Sequence, residues 1–333
     1  MIQASVILPV YNGEAFLDQA IKSVLNQDFK NFELVIVNDC STDKSLEIAE
    51  NYAISDKRIK IINNRRNSKL PKTLNVGHNA SSGEYVTWIS DDNILKNNFL
   101  QVLVNEIKGS NTDIVYSNYD LINKEGDYIK KVKPGNERDL IFGNTIGASF
   151  LYKRKVYEEI EGYKEDLYLL EDQDFWLRAS RKFTFSYIDR NLYQYRIHED
   201  SLTHQLTSNF DDRMSFAHKL KKMLLAFSEE KLINEKTINF LIDIRLNRPL
   251  SIAEFLKNGE HIISDLKILV EPKFLNKNNI YKALRRSFKN NQSDHNLTNL
   301  ILIGFKFPKI LFDRSFSKIE TLKLIKSSFR RYK

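Results

Sequence analysis

Carboxylates cluster at three places in this chain, each at the end of an apolar run or the start of an amphipathic one. Asp39 and Asp43 follow FELVIV, in Asn38-Asp39-Cys40-Ser41-Thr42-Asp43. Asp91 and Asp92 follow EYVTWI, in Ser90-Asp91-Asp92-Asn93. Glu171, Asp172 and Asp174 open a later amphipathic stretch. Adjacent carboxylates facing one cleft repel each other unless something positive sits between them. A hard divalent cation bridging to phosphate is the usual solution. Mg2+ or Mn2+ takes one or two protein carboxylates and completes its shell from water and phosphate oxygens. The pattern suits binding of a nucleotide diphosphate better than hydride chemistry.

Other chemistries lack their residues. The 11 glycines contain neither GxGxxG nor GxxxxGK[ST], against a dinucleotide-binding enzyme and a P-loop enzyme. HExxH and GxSxG are absent too. A single cysteine, Cys40, excludes a disulfide framework and a cysteine-rich zinc site.

The elements that must position the carboxylates can be read from hydrophobic period. Runs at 5–10, 32–37, 58–62, 84–89 and 113–119 read as strands, and 14–27, 43–52, 73–80 and 95–107 as helices. Ser41 or Thr42 is available to cap the second helix. This alternation predicts an α/β fold, a mostly parallel central sheet with helices on both faces. Ligands of such sheets bind beyond the carboxyl ends of the strands. The loops starting at Pro9, Asn38 and Ser90 should therefore line one crevice if their strands are neighbours. Further on, 147–152, 183–188 and 192–197 read as strands and 170–181 as a helix. Beyond 205 the strand signal fades, and 213–227, 231–246, 250–269 and 317–330 read as helices.

Five segments in order, PVYNG, VNDCSTD, GEYVTWISDDN, LEDQDFWLR and YRIH, resemble the motifs of family 2 glycosyltransferases with the GT-A fold. The resemblance spans about residues 3–204. It implies a metal-dependent, inverting transfer of a sugar from a nucleotide-sugar donor, expected to be uridine diphosphate-linked, to a saccharide or lipid-linked acceptor. Assembly of a cell-surface polysaccharide, lipopolysaccharide or capsule is the implied setting.

The resemblance also implies roles for individual residues. Pro9, Val10 and Tyr11 match the segment that holds the nucleotide base, with the Tyr11 ring placed for stacking. Asp39 matches the acceptor for uracil N3–H. Asn38 stands where the family often has a second acid. Asp43 reads either as a site residue or as a helix cap. Asp91 is expected to reach the ribose or a metal-bound water, and Asp92 to hold Mg2+ or Mn2+. The triplet begins with Ser90, so it is a variant of the family's DxD. Lys69 and Lys72 lie where a basic group can meet phosphate, and charge alone does not choose between them. Asp172 matches the general base that takes the acceptor's proton. Glu171 is expected to orient the acceptor or the helix start. His198 is expected near the diphosphate or metal, and Trp176 in the core.

The chain carries 51 Lys and Arg against 43 Asp and Glu, for a net +8. The charge is uneven: residues 1–204 carry −4 and residues 205–333 carry +12. With the loss of strands, this sets an expected boundary between a catalytic region, 1–204, and a basic helical region, 205–333. The basic end, ETLKLIKSSFRRYK, suits an anionic membrane surface, or equally a packed helical bundle or a dimer contact. No leader and no spanning segment is expected, which predicts a cytoplasmic protein, peripheral at the inner membrane face if the basic end binds lipid. Two alternatives remain at this level. A sugar nucleotidyltransferase would need a Gly-rich basic loop where this chain has YNGEAF. A nucleic-acid-binding protein would use the +12 region, but no recognition motif supports it, so no nucleic-acid partner is expected.

Overall fold

The structure is a computed structural model. It describes residues 2–202, 210–228, 233–246, 248, 250–269, 280–281, 284–285, 297–312, 317 and 321–322. Two compact units divide the chain, one formed by 1–140 with 144–219 and the other by 141–143 with 220–333. The packing units divide inside a helix, after Lys219, whereas the boundary expected at 204 is one of strand content and charge.

Among the described residues the first unit holds nine strands: β1 (Ala4–Val10), β2 (Phe32–Asn38), β3 (Ile59–Asn63), β4 (Tyr85–Trp88), β5 (Ile94–Leu95), β6 (Ile114–Ile122), β7 (Tyr128–Val132), β8 (Phe150–Lys153) and β9 (Phe185–Arg196). They form one sheet in the order β3-β2-β1-β4-β8-β6-β9-β5, with β7 beside β6. The run β3-β2-β1-β4 is parallel. Beyond β4 the pairing is mixed. Strand β8 lies antiparallel to β4 and β6, β9 runs parallel to β6, and β5 and β7 are antiparallel additions. The expectation of a mostly parallel sheet is thus corrected to a mixed one. The run β3-β2-β1-β4 is joined by the helical crossovers that parallel neighbours require, and β6 with β9 forms a second parallel pair.

The helices of this unit are α1 (Leu17–Leu25), α2 (Ser45–Ser55), α3 (Leu70–Ala80), α4 (Phe99–Gly109), α5 (Arg154–Glu159) and α6 (Glu171–Ala179), with a 3-10 turn at Glu137–Phe142. They cover both faces. On one face Ala4, Val6, Leu8, Leu34 and Ile36 pack with Leu17, Ile21 and Val24 of α1 and with Phe99, Leu103 and Ile107 of α4. The alternate residues, Ile7 and Val37, meet α3 at Gly77, where an added Cβ would lie 2.4 Å from Ile7 Cγ2. The period-two alternation of β1 and β2 therefore feeds two cores, and both strands are buried throughout.

The segment 183–197, read as two strands, is one strand. The polar residues Asp189, Arg190 and Asn191 form an irregularity where the register with β6 shifts, which sequence alone read as a break.

Helix α7 (Phe210–Ser228) runs through the division between the units. The second unit is helical in its described part, with α8 (Glu235–Arg245), α9 (Ile252–Leu269), α10 (Leu297–Lys306) and α11 (Lys309–Phe312). Phe255 joins them, with ring centroids 5.6 Å from Phe240 and 5.0 Å from Phe307. Asn234 caps α8 by accepting the Lys236 N–H. The helix expected at 317–330 lies almost entirely outside the described residues. Among the described residues no helix is long and apolar enough to cross a membrane.

Candidate active site

Strands β2, β1 and β4 are parallel neighbours, so the loops after them leave the same edge of the sheet, as the sequence required. The first two loops are zipped together. The Asn12, Gly13 and Glu14 amides donate to Ser41 Oγ, Ser45 Oγ and the Asp43 carboxylate at 3.1, 2.9 and 3.0 Å. In return the Thr42 and Lys44 amides donate to Asn12 Oδ1 and the Glu14 carboxylate. Asp43 also accepts the Ser45 N–H at the head of α2. It is therefore a connector, and Ser41 and Thr42 tie loops rather than cap the helix.

Of the six non-glycine residues with positive φ among the described residues, Asn12 and Cys40 sit in these loops, Lys69 just before α3 and Leu169 just before α6. Such conformations cost energy and persist only where surrounding bonds enforce them.

Asp39 supplies one such set of bonds. Buried at the end of β2, its carboxylate accepts the Ser68 N–H at 2.8 Å, the Lys69 N–H at 2.9 Å and the Asn64 amide at 2.8 Å. It pins the loop that carries Lys69. A carboxylate has about four acceptor directions, so these three donors leave room for one more. Asn38 shapes the same turn, accepting the Ser41 N–H and donating to Asn63.

Lys69 Nζ stands 5.9 Å above the Tyr168 ring, and Lys219 Nζ of α7 stands 5.4 Å from it. Lys72 is instead engaged with Glu165 at 3.1 Å on the surface. The structure thus separates the two lysines that charge could not. Pro9 and Val10 are buried in β1, and Val10 packs in the core. These side chains are covered by the protein itself, so this segment would meet a ligand through its backbone. Tyr11 is 49% exposed and leaves its ring open to one.

At the end of β4, Asp91 Oδ2 accepts the Tyr11 N–H at 3.3 Å. Gly13 makes the approach possible, because a Cβ there would fall 2.3 Å from that oxygen. Burial, with Asp92 next to it, pushes the Asp91 carboxyl up to about 7. Asp92 Oδ2 lies 3.1 Å from His198 Nε2, and this contact raises the His198 pKa. Asp92 Oδ1 and His198 Nδ1 are buried with no hydrogen-bond partner among the described residues. An orphaned carboxylate oxygen beside an imidazole fits one face of an Mg2+ or Mn2+ shell. Among the described residues no group of three or more His, Cys, Asp or Glu could hold an ion. A bound Mg2+ or Mn2+ would have to take the rest of its shell from phosphate and water.

Helix α6 is set by an aromatic layer. Trp176, fully buried as expected, packs its ring 4.8 Å from Phe150 of β8, and Phe175 packs 5.3 Å from Tyr152. Arg178 binds Asp174 at 2.6 Å and the Gly162 carbonyl at 2.7 Å, so Asp174 is structural. Ahead of the helix, Leu169 is held at φ 78° with its N–H donated to Glu171 Oε2 at 2.6 Å. Lys219 donates to the Tyr168 carbonyl at 3.3 Å. Asp172 Oδ1 is buried and has no partner among the described residues. Desolvation first, and the Glu171 charge second, raise the Asp172 pKa well above the ordinary range, and burial raises Glu171 as well. Burial first, and then the charges of Glu171 and Asp39, push the Tyr168 hydroxyl up to about 12, so Tyr168 lies between these two carboxylates.

Comparisons with known proteins agree with this picture. The profile described as Glycosyl transferase family 2 matches residues 5–161. An uncharacterized glycosyltransferase of Rickettsia prowazekii is 30% identical over 276 residues, covering 78% of this chain and 81% of the relative. The chain belongs to family 2 of the glycosyltransferases. Some relatives are longer. One from Rickettsia felis is 29% identical over 80% of this chain, yet the match spans 47% of its own length. Glycosyltransferase GlyA of Streptococcus pneumoniae is 30% identical over 62% of this chain and 32% of its own. Among solved structures, S. aureus TarS 1-349 in complex with UDP-GlcNAc superposes with a TM-score of 0.60 at 19% identity, covering 99% of this chain and 92% of that one. That likeness shows the GT-A fold. Membership of this family favours the glycosyltransferase reading over the nucleotidyltransferase and nucleic-acid-binding alternatives.

Sequence reasoning missed Tyr168, Lys219 and Arg196 as neighbours of the site. Arg196 stood inside a quoted motif, but its contacts are all distant in sequence. Lys219 lies on a helix whose pattern carries no sign of what it meets.

Proposed function

We propose that this glycosyltransferase moves a sugar from a uridine diphosphate-linked donor with inversion, using Asp172 as general base. The observation that carries the base assignment is the buried, unpartnered Asp172 Oδ1, whose carboxyl is raised by desolvation and by Glu171. A sugar or lipid-linked hydroxyl is a poor nucleophile at neutral pH. A carboxylate with a raised pKa and a free oxygen suits removal of its proton as attack proceeds. The acceptor oxygen bonds to the anomeric carbon, the bond from that carbon to the diphosphate oxygen breaks, and the proton passes to Asp172. Glu171 and Lys219 hold the Tyr168–Leu169 backbone from either side, which fixes where α6 begins.

On the donor side, Tyr11 would stack on the base, Asp39 would accept its remaining donor, and Lys69 would face the diphosphate. Asp92, with His198, would hold Mg2+ or Mn2+, and Asp91 would reach the ribose or a metal-bound water. The bound cation would offset the charge that builds on the departing diphosphate. The uridine reading is supported by the TarS complexes with UDP-GlcNAc and with UDP, which concern that protein.

For the setting, we infer a saccharide or lipid-linked acceptor in cell-surface polysaccharide assembly, with the basic region near an anionic lipid surface. Exposed Phe305 and Phe312 beside Lys306 and Lys309 support the lipid contact.

The test is release of uridine diphosphate from a panel of uridine diphosphate sugars, with Mn2+ and with a chelator. Turnover should require the cation and fall about 100-fold or more in Asp172→Asn, the scale of general-base loss. A donor that still raises the variant's melting temperature would show an intact binding site. Undiminished turnover in Asp172→Asn would remove the base assignment, and full turnover under chelation would remove the metal.

A further inference from the structure

Arg196 closes β9 and is 1% exposed. A guanidinium so deeply buried is costly unless its charge is matched by a carboxylate or all its donors are met. No carboxylate contacts it among the described residues. Instead, its donors spread over three other chain segments. Nε donates to the Asp92 carbonyl at 2.9 Å. Nη1 donates to the Lys124 carbonyl at 2.7 Å and the Asn123 carbonyl at 3.3 Å, in the turn between β6 and β7. Nη2 donates to Gln19 Oε1 of α1 at 2.8 Å. Its own backbone N–H donates to Asn93 Oδ1 at 2.7 Å. The plane of the guanidinium lies on Phe16, with Cζ 4.6 Å from the ring centroid.

The same Phe16 ring lies 5.0 Å from the His198 ring. One short segment therefore reaches Asp92 twice. Arg196 holds its main-chain carbonyl and His198 Nε2 lies against its carboxylate. Phe16 sets the orientation of both side chains. The free Asp92 Oδ1 is the atom left over from this two-point grip.

We propose that Arg196 is a positioning residue that fixes the Asp92–Asn93 peptide, and with it the direction of the free Asp92 oxygen toward a divalent cation. The proposal rests on the metal reading above. Only a planar fork can donate to these three segments at once, so lysine, with the same charge, cannot replace it. Groups that orient metal ligands from behind are worth about 10- to 100-fold in metal affinity.

The experiment measures Mn2+ binding to the whole protein by electron paramagnetic resonance, without donor, and then KM and kcat for a uridine diphosphate sugar at several Mn2+ concentrations. Arg196→Lys should weaken Mn2+ binding by about tenfold or more. It should also raise the donor KM, with kcat recovering at high Mn2+. Gln19→Met removes one distant anchor without touching Asp92. It should weaken Mn2+ binding in the same direction by about threefold, as expected for one hydrogen bond, and it keeps the question open to test if Arg196→Lys does not fold. A purely structural role would lower the melting temperature and leave Mn2+ affinity of the folded protein unchanged. Unchanged affinity in either folded variant, with wild-type protein that binds Mn2+, overturns the proposal alone. Wild-type protein that binds no Mn2+ yet turns over in chelator overturns the metal reading and the proposal together.

Discussion

Two buried carboxylates side by side carry a cost that one substitution can expose. Glu171 is 7% exposed, and burial pushes its carboxyl up to about 7, against 4.5 in the unfolded chain. That gap is worth about 3 kcal/mol at 1.36 kcal/mol per pH unit, taken as a ceiling. Its sign follows from proton binding. The folded state holds the Glu171 proton until about pH 7, whereas the unfolded chain releases it near pH 4.5. The stability tied to that proton is complete below about pH 4.5 and is lost as pH rises through about 7.

Glu171→Gln cannot ionise, and its amide oxygen can still accept the Leu169 N–H. The variant should match wild type at pH 4.5 and exceed it by up to about 3 kcal/mol at pH 8. In thermal unfolding this is a rise of roughly 6–12 °C. Activity should shift from the same cause. With the neighbouring charge gone, Asp172 ionises more easily, so the acid limb of kcat/KM should move to lower pH. Thermal melts at pH 4.5, 6 and 8, paired with pH profiles, check both. An equal or lower melting temperature at pH 8, or a gain that is the same at all three pH values, would refute the reasoning.

Gly13→Ala should place a methyl group against Asp91 Oδ2, displacing the carboxylate. Donor affinity should fall by about tenfold or more, for a cost of about 1–3 kcal/mol from overpacking, measured by donor titration and thermal melting. Normal donor affinity in this variant would mean Asp91 does not bind the donor from its observed position. For the lipid surface, wild-type protein should pellet with anionic vesicles at low salt and be released at high salt. Phe305→Glu should reduce pelleting, and failure of wild type to pellet would end that inference.

Much of the parallel half of the fold could be read in advance because it is built from local signals. β1, β2 and β4 are short runs of β-branched and aromatic residues buried on both faces, and each is followed by a polar turn. Neighbouring parallel strands then bring those turns together by geometry alone. The mixed half was harder. β5 is two residues long and β7 is an exposed edge strand, so neither has a buried face to leave a pattern. Strand β9 hides its continuity behind the polar bulge at 189–191. There, pairing with β6 decides the structure against local propensity.

The same division runs through the site. The ordered motifs, and the family they resemble, put forward Asp91, Asp92, Asp172 and His198 as candidates, each beside the end of a predicted element. What those residues touch could not be read, since it depends on partners far away in the chain. Asp39 matches an acceptor for a ligand, and its carboxylate is also held by the protein's own Ser68, Asn64 and Lys69 donors. Lys69 and Lys72 were equivalent by charge until Glu165 engaged one and Asp39 pinned the backbone of the other. Four strained residues, Asn12, Cys40, Lys69 and Leu169, mark where long-range bonds overrule local preference, and they surround the proposed ligand positions. Strain concentrated there is what a site needs if its donors and acceptors must stand in place before substrate arrives. The residues that enforce it, Asp39 behind Lys69 and Glu171 behind Leu169, are therefore as much part of the catalytic design as the carboxylates that would touch substrate.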